Sequence, residues 1–184
     1  MPTINTITVH FGSEIANLYD IGYLSTDIYQ IFAFSQLLEE NKRTEVKRWF
    51  GEKARPFNRY APVLEKRKRT AEITEVRNGS VELAVATGSL LTSIIVPLAI
   101  IYVQRAMDAP VISFEVSIDD QEIQKALNAY AQGTFGAGAK ALDLLFAALR
   151  QLGYDVKLQG QDAYIIDDVL QRYSRRMIRT IRRK

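Results

Sequence analysis

Arginine side chains crowd the C-terminal end of this sequence at a spacing that favours binding to an anionic surface. Six arginines fall in the last thirteen residues: Arg172, Arg175, Arg176, Arg179, Arg182 and Arg183. An apolar stripe at helical spacing accompanies them, made of Ile166, Val169 or Leu170, Tyr173, Met177 and Ile181. The pattern predicts an amphipathic helix whose basic face binds anionic lipid, nucleic acid or an acidic protein surface. The alternative is the solvated basic end of a packing helix.

The segment 133–140 is rich in glycine, as phosphate-binding loops are. A Walker A loop requires Gly-Lys followed directly by Ser or Thr, whose hydroxyl binds Mg²⁺. Here Ala139 separates Gly138 from Lys140, and Ala141 stands where the hydroxyl is needed. We therefore predict a connection between two helices rather than a nucleotide site.

No other residues have the spacing of a catalytic or metal site. His10 is the only histidine, and no nucleophile and acid accompany it at the spacing of a triad. Neighbouring carboxylates on a helix point about 100° apart, so a pair does not converge on one ion. The absence of cysteine excludes thiolate chemistry and disulfides. We predict a protein that is not an enzyme and holds no cofactor and no metal. The adjacent acid pairs are Glu39/Glu40, Asp119/Asp120 and Asp167/Asp168.

A long apolar segment, 84–103, dominates the middle of the sequence. Its twenty residues carry no charge, which matches a helix crossing a hydrocarbon core of about 30 Å. Basic residues cluster before it at Lys66–Arg69, so the positive-inside rule places the N-terminal region in the cytoplasm. The alternative is a cytoplasmic protein in which this segment forms buried strands or a bent, buried helix. Small residues at helix-packing spacing predict oligomerisation in lipid through Ala84, Gly88, Ser89 and Ser93.

Polar regions with mixed periodicity flank the apolar segment. The N-terminal one predicts a strand over 3–11, helices over 26–40 and 44–50, and a hairpin at Asn78-Gly79 joining strands 72–77 and 80–86. The C-terminal one predicts a strand over 112–118, a helix capped by Asp119, a helix after Gly138, a strand over 154–159 and the basic final helix.

The predicted fold class is α+β, with two small α+β regions flanking one long apolar, transmembrane helix. The predicted domains are 1–83, 84–104 and 108–184. With 47% hydrophobic and 24% charged residues, the chain has the composition of a folded protein. The leading hypothesis is a non-enzymatic, single-pass membrane protein that oligomerises or binds a partner, as a scaffold or pore-like assembly. Its partners would be copies of itself, anionic lipid or an acidic protein. The alternative is a soluble α+β module that binds nucleic acid through its arginine-rich faces.

Overall fold

A computed structural model describes residues 5–12, 17–52, 81–87, 89–107 and 114–182 of the chain. Helices dominate these residues, and a small sheet packs with them. In chain order the elements are β1 (Asn5–Phe11), α1 (Leu18–Glu39), α2 (Arg43–Phe50), β2 (Val81–Thr87), α3 (Leu90–Ala106), β3 (Glu115–Ser117), α4 (Gln121–Ala131), α5 (Gly138–Gln151) and α6 (Asp162–Arg182).

Helix α3 contains most of the predicted transmembrane segment and lies in the centre of the protein. The segment divides before Ser89, whose side chain accepts a hydrogen bond from the Thr92 amide and caps the helix. Residues 84–87 of the segment belong to strand β2, and the helix that begins after Ser89 has 17 residues. Its side chains are apolar almost all round, as expected for a buried helix, and α1, α4 and α6 pack around it. No helix in the described ranges combines the length and apolar character that a membrane span requires. The prediction of a transmembrane helix was wrong.

The sheet joins strands from both sides of the apolar segment. Strand β1 lies between β2 and β3 and pairs antiparallel with each of them. Its register places Thr8 opposite both Ala84 and Ser117. Ile7, Val9 and Phe11 alternate along β1 and are all buried. The predicted fold class of two small α+β regions separated by a membrane helix is therefore incorrect, because one helical core with one sheet includes both regions. The predicted domain boundaries stay a prediction.

Helix α1 begins earlier than its apolar periodicity indicated. Asn17 caps it by accepting a hydrogen bond from the Asp20 amide at 2.8 Å. Thr26, near the predicted start, instead donates its hydroxyl to the Gly22 carbonyl one turn back. A hydroxyl can be satisfied within a helix as well as at its N-cap, so residue type alone did not locate the end of this helix.

The remaining predictions had mixed outcomes. Helices α2, α4, α5 and α6 and strands β1, β2 and β3 occur where the sequence indicated, with shifted ends. Asp120, rather than Asp119, caps α4 by accepting from the Glu122 and Ile123 amides. Residues 154–159 do not form the predicted strand, and the Arg150 guanidinium donates to carbonyls in this stretch instead. The first strand of the hairpin predicted at Asn78-Gly79, 72–77, lies outside the described residues.

Helices α1 and α6 pack antiparallel beside α3. Arg43, just after α1, forms an ion pair with Asp162 at the start of α6, with 2.7 Å between nitrogen and oxygen. Further along, Gln30 of α1 accepts a hydrogen bond from the Tyr173 hydroxyl at 2.6 Å. Asp27, nearer the start of α1, pairs with Arg176, nearer the end of α6. These contacts place the first turns of α1 beside the last turns of α6.

Candidate functional site

The C-terminal half of α6 combines an apolar face that builds the core with a face that is basic. The predicted amphipathic helix is confirmed. Its apolar stripe packs against α1 and α3, which fixes the orientation of every other side chain on the helix. The buried members of the stripe are Ile166, Val169, Leu170, Tyr173, Met177 and Ile181.

Two of the predicted binding arginines are used within the protein, and we call Arg172 and Arg176 the inner arginines. Arg172 forms an ion pair with Asp168 at 2.9 Å and donates to the Phe50 carbonyl, which ties α6 to the end of α2. Arg176 pairs with Asp27 of α1, also at 2.9 Å. Both guanidinium groups therefore stabilise the helix packing.

The Asp27–Arg176 pair lies in a polar cluster inside the helix interface. Asp27 is fully buried, and the Arg176 side chain is only 15% exposed. The neighbouring Gln30 and Tyr173 are buried as well. Burial, followed by the negative charge of Asp27, raises the pKa of Tyr173, so its hydroxyl stays protonated and donates to Gln30. A buried carboxylate needs a paired cation, because an isolated charge in the interior costs several kcal/mol.

Three other arginines face outward, and we call Arg175, Arg179 and Arg182 the outer arginines. All three are exposed, and their i, i+4, i+7 spacing places them along one side of α6. Arg175 donates a hydrogen bond to the Gln171 amide oxygen at 3.2 Å. This contact does not neutralise the charge of the guanidinium. In the part of the chain that the structure describes, no acidic residue forms an ion pair with any of the three. Arg183 continues the basic run outside the described residues.

A hydrogen-bond network holds the helix surface that carries Arg175. The Tyr102 hydroxyl on α3 donates to Asp167 at 2.6 Å, and the Gln171 amide donates to the other Asp167 oxygen at 2.9 Å. The Tyr130 hydroxyl on α4 donates to Tyr102 at 3.2 Å. Asp167 thus accepts hydrogen bonds from α3 and α6 directly and is linked to α4 through Tyr102. Because Gln171 also contacts Arg175, the network reaches the basic face.

Burial and the hydrogen bond to Asp167 raise the pKa of Tyr102. The phenol therefore remains a hydrogen-bond donor throughout the neutral range. Arg105 adds a positive charge at the other end of the network, stacking its guanidinium over the Tyr130 ring at 4.6 Å from the centroid. The arrangement fixes three helices relative to one another.

Three of the four small residues predicted to pack helices in lipid lie among the described residues, and these three do not share a helix face. Ala84 lies in strand β2, and Gly88 lies outside the described residues. Ser89 is the N-cap of α3, and the Ser93 hydroxyl donates back to the Ser89 carbonyl at 3.2 Å. Both serines thus stabilise the first turn of α3. A role of these residues in helix packing stays a prediction.

The glycine-rich connection between α4 and α5 consists of turns, as predicted. Gly133, Gly136 and Gly138 have positive φ angles of 80°, 91° and 73°, a conformation that other residues rarely adopt. At the other end of these two helices, Asp120 accepts from the Tyr154 hydroxyl with both carboxylate oxygens at 2.8 Å. Burial and this hydrogen bond raise the pKa of Tyr154 to about 12. These contacts fasten the end of α5 to the start of α4.

Two cavities lie between neighbouring elements of the described residues. One, of about 160 Å³, lies between α3, β3 and α4 and includes Pro97, Gln104 and Asn128 among lining residues that are all non-titratable. Another, of about 200 Å³, lies between α2 and α6 and is bordered by Lys47 and Asp168. Among the described ranges, no three His, Cys, Asp or Glu side chains converge as metal ligands.

The sequence reasoning missed Asp27, which decides the role of Arg176. The sequence could have indicated it, because Asp27 stands within the apolar run of α1, where side chains are expected to be buried. A buried acid predicts a basic partner from another element, and the arginines of the final helix supply the candidates.

Comparison with known proteins identifies no relative. No protein-family model matches the chain, and neither a curated protein nor a solved structure is similar enough to indicate its class. The exposed charge of the outer arginines is therefore the feature from which a function can be inferred.

Proposed function

We propose that this protein binds nucleic acid, with the outer arginines contacting phosphate groups. The observation that carries the proposal is the exposure of Arg175, Arg179 and Arg182 along one side of a helix whose other face is fixed in the core. A guanidinium presents several N–H donors in a planar fork that matches phosphate oxygens. The three positions span about 10 Å of helix axis, comparable with the reach of two or three successive phosphates.

The burial of the apolar stripe of α6 argues for nucleic acid over lipid. A helix that binds a membrane surface inserts its apolar face between the acyl chains and the headgroups. Here Tyr173, Met177 and Ile181 pack within the protein and are unavailable for insertion. The exposed side offers charge without apolar anchors, which suits a phosphate backbone better than a bilayer.

The salt dependence of binding tests the proposal. We expect the full chain to bind a labelled oligonucleotide with a log–log salt slope that reflects about three phosphate contacts. Affinity should then fall about 40-fold for a duplex, or about 20-fold for a single strand, between about 50 and 200 mM salt. The variant carrying Arg175→Gln, Arg179→Gln and Arg182→Gln should lose most of this binding and of its salt dependence.

A second triple variant controls for net charge. Lys47→Gln, Lys125→Gln and Lys140→Gln remove the same number of positive charges from exposed sites on α2, α4 and α5. We expect this variant to bind nearly as the wild type does. Equal losses in both variants would contradict a role for the outer arginines specifically. Binding to anionic vesicles but not to nucleic acid would overturn the proposal.

A further inference from the structure

Two neighbouring tyrosines, one of them exposed, lie at the same end of the protein as the outer arginines. Tyr19 is 64% exposed, although large aromatic side chains are usually well buried. Tyr23 follows one turn later and is half-buried. The two rings meet edge to face with centroids 4.6 Å apart, and their hydroxyls are 2.9 Å apart. The contact between the rings limits their motion and leaves Tyr19 accessible.

The antiparallel packing of α1 and α6 brings these tyrosines level with the arginines. From the Asp27–Arg176 contact, Tyr19 lies about 12 Å towards the start of α1, since each residue advances a helix by about 1.5 Å. Arg182 lies about 9 Å from the same contact towards the end of α6. Both displacements run in the same direction because the helices are antiparallel. Tyr19 and Arg182 therefore reach nearly the same height.

The rotation of each helix places both groups on a shared side. Helix α3 packs on one side of the α1–α6 pair, where Thr92 contacts Ser35 and Tyr102 contacts Asp167. Ser35 marks the side of α1 that contacts α3. At about 100° per residue, Tyr19 and Tyr23 are rotated about the α1 axis from Asp27 in the direction opposite to Ser35, away from α3. About the α6 axis, Arg179 is likewise rotated from Arg176 away from the side that contacts α3.

We infer that Tyr19, Tyr23 and the outer arginines, Arg179 foremost, form one surface that binds single-stranded nucleic acid. This inference rests on the proposed function and restricts the ligand to single-stranded nucleic acid. An unpaired base stacks on an exposed aromatic ring whatever its identity, while arginines beside the ring contact the phosphates. The bases of a duplex are stacked on each other and cannot reach Tyr19. Charge alone would favour the duplex, so the tyrosines supply the preference for a single strand.

Fluorescence anisotropy with the full chain tests the inference. The probes are a labelled deoxythymidine oligomer of about twelve nucleotides and a duplex of the same length. We expect tighter binding to the single strand. Tyr19→Ala should weaken that binding about fivefold or more, as expected for the loss of one stacked base. Duplex binding should change little. Tyr19→Phe keeps the ring and should bind as the wild type does.

A matched tyrosine elsewhere on the surface provides the control. Tyr164 is 62% exposed near the start of α6, where Asp167 and Asp168 replace the arginines. Tyr164→Ala should leave single-strand binding unchanged. If Tyr19→Ala has no effect, or Tyr164→Ala has an equal one, the inference is overturned while arginine-dependent binding can still stand. Absence of any nucleic-acid binding by the wild type would overturn the proposed function itself.

Discussion

The inner and outer arginines stand on one helix within eleven residues of each other, yet they meet opposite surroundings. Arg176 reaches across the interface to the fully buried Asp27, and Arg172 ties α6 to the end of α2. The outer arginines extend into solvent without an acidic partner among the described residues. Identical side chains therefore have different roles, and the element packed against each position determines which role applies.

The inner arginines stabilise the fold, whereas the charges of the outer arginines are available for binding. An ion pair at a buried site contributes mainly by avoiding an unpaired charge, so losing one partner is costly. An exposed guanidinium is solvated and contributes little to stability. The inner arginines should therefore control the free energy of unfolding, and the outer arginines should control affinity for an anion.

Arg176→Gln should produce the largest loss of stability. It leaves the buried Asp27 carboxylate without its arginine, and breaking such a pair costs about 3 to 5 kcal/mol. Urea denaturation followed by circular dichroism measures the effect. The double variant Asp27→Leu with Arg176→Met removes both charges and should recover most of the stability, because an apolar pair of similar size avoids the desolvation cost. A loss below about 1 kcal/mol for Arg176→Gln would contradict the assigned role.

Tyr102→Phe should have the next largest effect, because it removes the hydrogen bond that the hydroxyl donates to Asp167. A hydrogen bond to a charged group contributes about 1.5 to 3 kcal/mol. Tyr164→Phe alters an exposed ring and serves as the control, with no change expected. The comparison of the two variants by urea denaturation separates the network that supports Arg175 from general effects of losing a hydroxyl.

The raised pKa of Tyr102 also predicts a dependence on pH. A tyrosine in the unfolded chain titrates near pH 10, whereas the folded protein holds Tyr102 protonated to higher pH. Its contribution is therefore complete below about pH 10 and is lost as the pH rises further. Above about pH 10, wild-type stability should fall more steeply than that of Tyr102→Phe, by about 1.4 kcal/mol per pH unit. Parallel curves for the two proteins would contradict this assignment.

Much of the local structure was predictable from the sequence, and the arrangement of the core was not. The amphipathic period of α6 and the alternation in β1 identify those elements, since one face of each is buried. The segment 84–103 misled because an apolar run has the same composition in a lipid bilayer and in a protein core. Its uninterrupted character concealed the Ser89 cap, where a strand ends and a helix begins. Two of the helices that bury α3, α1 and α6, lie far from it in sequence.

The sequence predicted the helix that carries the basic face, but it predicted only part of the candidate binding site. The spacing of the six C-terminal arginines indicated one surface, but it could not tell which of them find acidic partners. That division depends on Asp27 and Asp168. Asp168 lies four residues from Arg172 and was a local clue. Asp27 lies on a helix near the other end of the chain, and only tertiary packing brings it to Arg176.

Arg172→Gln should give an intermediate loss of stability, about 1 to 2 kcal/mol. Its ion pair with Asp168 is partly exposed and contributes little, so most of the loss should come from the donated hydrogen bond to the Phe50 carbonyl. Asp168→Asn removes the charge of the pair and leaves that hydrogen bond in place. We expect it to cost less than Arg172→Gln in urea denaturation. The reverse order would show that the ion pair, rather than the link to α2, is the stabilising contact.

The smallest change in stability should follow from Arg175→Gln, Arg179→Gln and Arg182→Gln combined. Arginine and glutamine have nearly equal helix propensity, so the backbone preference is preserved. Two opposing electrostatic effects remain. Arg179 and Arg182 lie in the last turn, where a positive charge interacts favourably with the helix dipole by about 0.3 to 1 kcal/mol at low salt. Arg175 and Arg179 are four residues apart, and Arg179 and Arg182 are three apart. Each neighbouring pair of these like charges is destabilising by about 0.2 to 0.5 kcal/mol.

Because these effects oppose each other, the free energy of unfolding should change by no more than about 0.5 kcal/mol. Both effects are screened by salt, so the difference between variant and wild type should shrink further as ionic strength rises. Urea denaturation at low and moderate salt measures this directly. A loss of several kcal/mol would place the outer arginines among the groups that hold the fold together. The lost affinity of the same variant would then report unfolding rather than a missing phosphate contact.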